Sequence, residues 1–584
     1  MKPPALALLL LANFLSLSAD EPHLGTNQTP ADWRAEKRLI DLHLHIDCTP
    51  EHLARAVKIL DGAGIGVGVN LTAGTVTRKI GEPSEFERNK KTADELFPGR
   101  FVHYVNLDYS GWDEPGFSEN AVKQVEEGYR LGAAGFKEWK RLGLYLRDRD
   151  KKLIKIDDPK LDPVWEKCGE LGLPVSIHVA DPKAFWEPYS PENERWTELK
   201  DHKDWWFGDP KIFPSRMELV EALNRVIERH PRTTFVCVHF ANNAEDLDWV
   251  EHALDTHPNM MADLAARIPE IGRHDPEKVR RLFLKHQDRI LFATDFQVYD
   301  RLTLGSGGRG AGPSDDEARV FYEKHWRWLE TDDRNFEHMT PIQGDWKISG
   351  IGLPNFALRK IYFDNAHKLL ARTLPYPVFR VARIDHSLSL SALGDPLWDK
   401  AGNQRLDYET KDASATPQSG TLLRALYSND SLYLRFDGPY SELTQFEPPR
   451  LNSERVGLWD RDVVETFIGT EPRNEKVYYE FEVAPTNEKL DLIITPEIQR
   501  VEKRLEWNSG WETFVKVDDR RKVWTAVMRI PLRALSSDGP KPGTKWRANF
   551  YRIDRASRAF LAWNPTLAGS YHVPSRFGWL EFEP

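Results

Sequence analysis

Eight short apolar runs alternate with helix-like stretches between residues 38 and 296, and this alternation constrains the fold more than any other feature. Several of the helix-like stretches end in Gly or Pro before the next run, as loops from a helix to a strand do. Apolar strands that alternate with helices form a parallel sheet covered on both faces. The runs are RLIDLHLH (38–45), GIGVGVNLT (64–72), RFVHYVNLD (100–108), AAGFKEW (133–139), LPVSIHV (173–179), TTFVCVHF (233–240), NMMADLA (259–265) and RILFATDF (289–296).

Eight strand–helix units predict an α/β fold, a closed (β/α)8 barrel over residues 38–375. An open, doubly wound sheet is the structural alternative. No glycine-rich phosphate loop marks a dinucleotide site, because GAGIGVG at 62–68 has its helix on the wrong side. Three long connections, at 141–160, 181–216 and 297–350, follow the fourth, fifth and eighth runs. That is the face on which barrel enzymes hold their active sites.

Beyond residue 375 the pattern changes to alternation of period two. The segment LPYPVFRVAR at 374–383 reads as a linker, and SLYLRFD, DVVETFIG and VYYEFEVAP are typical of the strands that follow it. Turn residues separate these strands, and few helices intervene. The pattern predicts an antiparallel β-sandwich over 376–584.

The first nineteen residues have the pattern of a secretory signal. Lys2 precedes a short apolar run over residues 5–17, and the small residues Ser18 and Ala19 follow it. A buried first helix is the alternative. We expect cleavage after Ser18 or Ala19, export to the periplasm or the medium, and a polar arm over residues 20–37.

Composition bears on partners and on disulfides. A net charge of −10 and a pI near 6.0 argue against nucleic acid or an anionic membrane as the main partner. Three cysteines make no disulfide framework, and no later stretch has the length and apolarity of a membrane span. These features favour a small-molecule substrate.

Paired histidines end the first run. Side chains two residues apart on a strand share a face, so His43 and His45 point the same way, towards the axis of a barrel. His178 ends the fifth run, His239 the sixth and Asp295 the eighth. A buried structural role is the alternative for any one of these residues. Five nitrogen and oxygen donors at one rim predict a divalent metal, Zn²⁺ first and Mn²⁺ or Fe²⁺ as alternatives, with one position open for water.

Such a metal lowers the pKa of its water towards about 7 and polarises a substrate carbonyl. A nearby carboxylate or imidazole can then take the proton of the water. His239 and Asp295 are the candidates for this catalytic role.

Residues 39–372 resemble the amidohydrolase superfamily, specifically the amidohydrolase-2 branch related to aminocarboxymuconate-semialdehyde decarboxylase. The resemblance implies that His43, His45, His178 and Asp295 bind one metal and that His239 polarises or protonates the substrate. It rests on DLHLH, GAAGFKEWK, SIHVAD, CVHFAN and LFATD at the first, fourth, fifth, sixth and eighth strands, and on GLPNFALRKIYFDNAHKLL at 352–370.

Four further residues are candidates for binding the substrate. Lys137 lies on the fourth strand, where some relatives of this superfamily carry a carboxylated lysine that bridges two metals. The resembling branch is usually mononuclear, so one ion is favoured, and Lys137 can instead meet a substrate carboxylate or form an ordinary salt bridge. Trp205, Trp206 and Arg216 lie in the long fifth connection, where they could clamp an anionic or cyclic substrate or simply pack the loop.

Residues 383–582 resemble the family 9 carbohydrate-binding modules. The resemblance is carried in order by DPLWDKA, SLYLRF, LWDRDVVETFIG, YYEFEVAP, NSGWETFV, WTAVMRIPL, WRANFYRID and HVPSRFGWLEF. Sugar sites stack pyranose faces on exposed aromatic rings. Trp507 and Trp511, in a loop-like segment, are the candidates for binding a carbohydrate ligand.

Three functions follow from these patterns. The first is an exported metal-dependent hydrolase of a lactone, ester or amide, in carbohydrate-associated material. The second is a non-oxidative decarboxylase of an aromatic or unsaturated acid, which the same site would serve. The third is a non-enzymatic glycan-binding protein that uses the barrel as a scaffold.

Overall fold

The computed structural model describes residues 28–498 and 500–584. The predicted signal at 1–19 and the first part of the predicted arm lie outside these residues. No helix in the described part of the chain is long and apolar enough to cross a membrane.

The eight predicted runs form eight parallel strands in sequential order. The sheet closes on itself, because the backbone N–H of Leu42 donates to the Phe292 carbonyl at 3.1 Å and that of Asp295 donates to the His43 carbonyl at 2.9 Å. The closed barrel is therefore confirmed over the open sheet. The strands are β1 Leu39–Ile46, β2 Ile65–Asn70, β3 Phe101–Asn106, β4 Gly135–Glu138, β5 Val175–Ile177, β6 Phe235–Cys237, β7 Met260–Asp263 and β8 Ile290–Leu291.

Helices cover the outside of the barrel. The helix Arg216–Arg229 is representative: the Ser215 side chain accepts from the Glu218 backbone N–H, and the buried face turns Leu219, Leu223 and Val226 towards the strands. The helices of this region are Pro30–Ala35, Pro50–Ala63, Glu85–Leu96, Phe117–Arg130, Asp162–Glu170, Trp196–Leu199, Arg216–Arg229, Leu247–Thr256, Ile268–Ile271, Pro276–Lys285, Asp315–Glu330, Asn355–Arg359 and Asn365–Leu370.

Two hairpins and a packed N-terminal segment add to the alternation of strands and helices. Strand β9 (Phe296–Val298) pairs with β1 and forms a hairpin with β10 (Leu302–Leu304), and a second small hairpin joins β11 (Phe336–Glu337) to β12 (Lys347–Ile348). The second half of the predicted arm is packed, since Trp33 is buried with its ring 5.5 Å from that of Phe363.

The C-terminal region is a mostly antiparallel β domain. Strand β13 joins its two halves by pairing in parallel with β16 on one side and β25 on the other, and the apolar core lies between the halves. The strands are β13 Val378–Arg383, β14 Gly402–Leu406, β15 Tyr408–Glu409, β16 Thr421–Tyr427, β17 Ser431–Pro439, β18 Val463–Gly469, β19 Tyr478–Val483, β20 Lys489–Ile494, β21 Glu512–Asp518, β22 Val523–Pro531, β23 Lys545–Asp554, β24 Ala559–Ala562 and β25 Gly578–Phe582, with short helices at Val501–Arg504 and Leu532–Leu535.

Candidate active site

Three of the predicted metal ligands converge at the C-terminal end of β1. The Nε2 atoms of His43 and His45 are 3.2 Å apart. Asp295 Oδ1 lies 3.2 Å from His45 Nε2 and 3.8 Å from His43 Nε2. The ligand atoms of these three residues all lie within 4.8 Å of one another, so one ion can reach all of them.

Asp263, at the end of β7, fixes the orientation of His43. The His43 Nδ1–H donates to Asp263 Oδ2 at 2.9 Å, which leaves the Nε2 lone pair pointing towards His45 and Asp295. Burial and the charge of Lys137 hold the pKa of His43 well below its usual range, so the ring is neutral. A neutral imidazole braced by a buried carboxylate is the arrangement that metal-ligating histidines adopt. The residues present therefore fit a divalent metal.

His178 and His239 lie side by side in the same cavity. His239 Nδ1–H donates to the Ala265 carbonyl at 2.8 Å, and His239 Nε2 is 3.2 Å from His178 Nδ1. His178 Nε2 is 3.2 Å from an oxygen of Asp181. The structure thus brings the predicted residues together, with His178 next to His239 rather than inside the tight group formed by His43, His45 and Asp295.

The turn after β6 that carries His239 is left-handed. Residues His239, Phe240, Ala241 and Asn242 all have φ between 53° and 61°, and Asp295 has φ 60°. Non-glycine residues in this region cost about 1–3 kcal/mol each and cluster at functional sites. Asn242 stabilises the turn, since its Oδ1 accepts from the Val179 backbone N–H at 2.9 Å.

Lys137 is buried beside these ligands without a partner. Its Nζ forms no hydrogen bond with any described residue, and the side chain is 1% exposed. Burial lowers the pKa of Lys137 to about 8, although Asp263 and Asp295 oppose the shift. The site thus holds a buried amine that can form an ion pair with an anionic group of a ligand.

A cavity of about 450 Å³ opens above these residues. All three long connections contribute to its walls, as expected from their place after the strands. Its charged lining is more cationic than anionic: it comprises Lys137, Lys140, Arg141, Arg195, Arg267 and Arg301 against Asp181, Glu198, Asp204 and Asp295.

The candidates from the fifth connection divide. Trp205 lines the cavity, with its ring stacked on His202 at 3.9 Å and the Lys140 ammonium 4.8 Å from its centroid. Trp206 instead donates its indole N–H to the Glu187 carbonyl at 2.7 Å. Arg216 also lies outside this cavity, because its guanidinium donates to the Asp181 and Asn242 carbonyls and to the Asn243 side chain. Both side chains pack loops in this structure, and neither lines the cavity.

Sequence reasoning missed three residues of the site. Asp263 lies at the C-terminal end of its predicted run, as Asp295 and the histidines do in theirs. This acidic residue at the same rim was the sequence signal that could have identified Asp263 as part of the site. Asp181 and Arg267 follow the ends of β5 and β7, and the Arg267 guanidinium lies 3.6 Å from Asp181. Only the folded connections show that these two line the cavity.

The two tryptophans predicted to bind sugar differ in exposure. Trp511 is 2% exposed and packs against Phe481 in the core, so it has no free face for a sugar. Trp507 is half-buried and packs 4.8 Å from Tyr479. The loop-like segment folds the ring of Trp511 inward, whereas the predicted sugar site needs an exposed ring face.

Comparisons with known proteins found a curated relative, solved structures and a family model that match parts of this chain. A curated relative from Arthroderma benhamiae, named "Extracellular protein", is 27% identical over 186 residues, covering 29% of this chain and 81% of the relative. A family 9 carbohydrate-binding module from Caldicellulosiruptor kristjanssonii, solved with cellotriose, is 17% identical and covers 35% of this chain and 94% of its own, with a TM-score of 0.24. The 2,6-dihydroxybenzoate decarboxylase from Rhizobium is 16% identical and covers 57% of this chain and 98% of its own, with a TM-score of 0.33. Residues 112–372, which include His178, His239 and Asp295, match the family model described as "Amidohydrolase".

Proposed function

We propose that this chain is an exported metal-dependent hydrolase that cleaves a lactone, ester or amide. In this proposal His43, His45, His178 and Asp295 hold one divalent ion, Zn²⁺ before Mn²⁺ or Fe²⁺. The observation that carries it is the convergence of ligand atoms from His43, His45 and Asp295 within 4.8 Å at the mouth of a barrel. The predicted signal at 1–19 supports export.

A bound divalent ion would polarise a substrate carbonyl and acidify water. The protein's own part begins with His239: its Nδ1–H donates to the Ala265 carbonyl, so Nε2, which lies 3.2 Å from His178 Nδ1, is the ring nitrogen that can exchange a proton with the substrate. Asp295 is the second candidate base. Burial alone would raise its pKa, but the hydrogen bond from His45 and the charge of nearby Lys137 hold it at about 2, so the carboxylate is ionised at neutral pH.

The lining of the cavity supports a substrate that carries a negative charge. Arg267 and Lys140 both face Asp181, at 3.6 Å and 2.5 Å, so their shared carboxylate leaves net positive charge for a ligand. Trp205 offers a flat apolar face beside Lys140. An acyl compound with a carboxylate and a ring fits this combination.

Replacement of His178 by alanine tests the proposal. We expect His178→Ala to lose both bound metal and turnover, whereas His252→Ala, at an exposed position on a helix outside the site, keeps both. Elemental analysis and assays against a panel of lactones, esters and amides measure the two effects. Full turnover in the His178→Ala protein would contradict the proposal.

Decarboxylation of an aromatic or unsaturated acid is the second candidate, and the unpartnered Lys137 amine in a cationic cavity favours it. A lysine at this depth can hold the carboxylate of the substrate against the metal ligands. Assays in ¹⁸O-labelled water separate the two reactions: hydrolysis incorporates label into the organic product, whereas decarboxylation releases CO₂ and leaves the organic product unlabelled.

We propose for the C-terminal domain a carbohydrate ligand that contacts Trp507. Binding of the full chain to insoluble polysaccharides should weaken in Trp507→Ala and persist in the metal-free protein. A protein that binds polysaccharide normally but shows neither metal nor turnover would favour the non-enzymatic alternative.

A further inference from the structure

A second cavity, of about 400 Å³, adjoins the cavity of the candidate active site. Arg301, Thr303, Ser306 and Gly307 belong to the walls of both, so strand β10 and the segment that follows it separate the two cavities. The volume lies within the range of about 300–1,000 Å³ that is usual for small-molecule sites. The active-site cavity therefore has a neighbouring space large enough to hold a further part of a substrate.

One wall of the second cavity is almost free of side chains. Gly307, Gly308, Gly310 and Gly312 all line it. At Gly308 a Cβ atom would lie only 2.7 Å from Oδ2 of Asp201, and Gly312 has a φ of 80°, which favours glycine. Because these residues carry no side chain, a ligand beside this wall can approach the peptide N–H and C=O groups closely.

The charges around the second cavity cancel, unlike those of the cationic active-site cavity. Two of each sign line it: Lys200, Arg301, Asp201 and Glu317. Arg301 donates to the Gly310 carbonyl at 2.8 Å, and Asp201 accepts from the Arg309 backbone N–H at 3.1 Å. Since the lining has no excess of either charge, it suits an uncharged group.

The rest of the lining mixes apolar and hydroxyl groups. Leu304, Met339 and Ile342 supply the apolar surface, and Thr197 and Thr303 supply hydroxyls. A purely apolar group would leave the hydroxyls and the peptide groups of the glycine wall without partners, which is costly for buried polar groups. A sugar ring offers both an apolar C–H face and a hydroxyl edge, so it matches this lining.

The wall between the two cavities is held from the active-site side. His202 Nε2–H donates to the Gly307 carbonyl at 3.1 Å, and the His202 ring stacks at 3.9 Å on Trp205, which lines the active-site cavity. The Ser306 hydroxyl donates to Glu198, which lines the same cavity. A group bound in the second cavity would thus be fixed relative to the rest of the substrate, as efficient catalysis requires.

We propose that the substrate joins an anionic ring acid through an ester bond to a neutral hydroxylated group of the sugar type, and that the second cavity holds the hydroxylated group. The inference rests on the proposed hydrolysis and narrows its substrate class.

The reaction needs no reagent besides water. The oxygen of water forms a bond to the acyl carbon, and the bond between that carbon and the sugar oxygen breaks. One proton of the water goes to the sugar oxygen and the other to the solvent, so the products are a carboxylate and a free sugar. The acid stays in the cationic cavity and the sugar in the neutral one.

The test compares two esters of isophthalic acid that keep one free carboxylate, the monomethyl ester and the monoglucosyl ester, with the full-length protein loaded with metal. We expect kcat/KM to be at least 10-fold higher for the glucosyl ester, because binding energy from a remote part of the substrate lowers the barrier at the reacting bond. The measured quantity is the ratio of the two kcat/KM values.

A bulky variant then locates the sugar. Thr197 is exposed and lines the second cavity but not the active-site cavity, so Thr197→Trp fills part of the second cavity alone. The ratio should fall at least 10-fold in Thr197→Trp and stay at the wild-type value in Glu221→Trp, which adds the same ring at an exposed position on an outer helix.

The outcomes separate this inference from the proposed function. Equal kcat/KM for the two esters, or a ratio that Thr197→Trp leaves unchanged, would overturn the sugar-holding role of the second cavity while the hydrolase stands. Failure of the metal-loaded protein to cleave either ester or any compound of the lactone, ester and amide panel would overturn the proposed function and this inference with it.

Discussion

At the scale of single residues, Asp263 organises the candidate site. One carboxylate oxygen accepts from His43 Nδ1, and the other accepts from the backbone N–H groups of His239 and Ala265 at 2.7 and 3.2 Å. The same side chain thus orients a metal ligand and fixes the start of the turn that carries the candidate catalytic histidine.

Asp263→Asn keeps the shape of this side chain but removes its charge. We expect metal affinity to fall about 10–100-fold, the usual effect of losing the carboxylate that braces a ligating histidine. Competition against a zinc-binding dye measures the change, with Asp399→Asn, at an exposed position in the other domain, as the control. Unchanged affinity would show that Asp263 only fills space.

Arg267 is a second single residue with an expected role, the recognition of a negatively charged substrate. Removing a hydrogen bond to a charged group costs about 1.5–3 kcal/mol, so Arg267→Met should lower kcat/KM for anionic substrates about 10–100-fold. Steady-state kinetics with matched acid and methyl-ester substrates check this, and Arg281→Met, exposed on an outer helix, serves as the control. Equal losses for acid and ester would contradict a role in charge recognition.

At the scale of elements, the sequence predicted the barrel strands but not the structure of the connections that follow them. The apolar runs predicted all eight barrel strands, because a buried strand appears in the sequence as a continuous run of apolar residues. The sequence did not predict the β9–β10 hairpin or the left-handed turn at His239. Short strands and positive φ values depend on tertiary contacts, such as the hydrogen bond between Asn242 and Val179. The positions of Trp206 and Arg216 outside the cavity depend on such contacts as well.

The left-handed turn yields a prediction of its own. Asn242→Ala removes the bond to Val179 and leaves a residue that tolerates positive φ poorly, so the free energy of unfolding should fall by about 1–3 kcal/mol, and activity should fall with it. Asn242→Gly relieves the backbone strain alone and should recover part of the stability. Urea denaturation measures both variants; equal stability of the three proteins would argue against a strained turn.

At the scale of the whole molecule, a buried ionic cluster joins the barrel to the β domain. Arg359 of the barrel binds Asp407 at 2.9 Å and Asp364 at 2.8 Å, and Tyr408 donates to Asp364 at 3.0 Å. The His367 and Tyr408 rings stack at 3.8 Å beside it. The sequence predicted both folds from local patterns but not this junction, since its partners come from distant segments.

Asp407→Asn tests the junction. Burial alone would raise the pKa of Asp407, but Arg359 and Arg405 hold it well below its usual range. The charge therefore stabilises the fold above the unfolded pKa of about 3.9, and this contribution is lost as pH falls. We expect the variant to lose about 3–5 kcal/mol at neutral pH, as broken buried pairs do. The difference from the wild type should shrink below about pH 4; a constant difference across pH would contradict the ionic explanation.

The metal content of the purified protein, measured by elemental analysis of wild type and His45→Ala, tests whether the barrel holds a metal ion. We expect close to one Zn²⁺, Mn²⁺ or Fe²⁺ ion per wild-type chain and loss of that ion in the variant. A ratio near two for these metals would contradict the single-ion site, and equal content in both proteins would show that the paired histidines do not bind the metal.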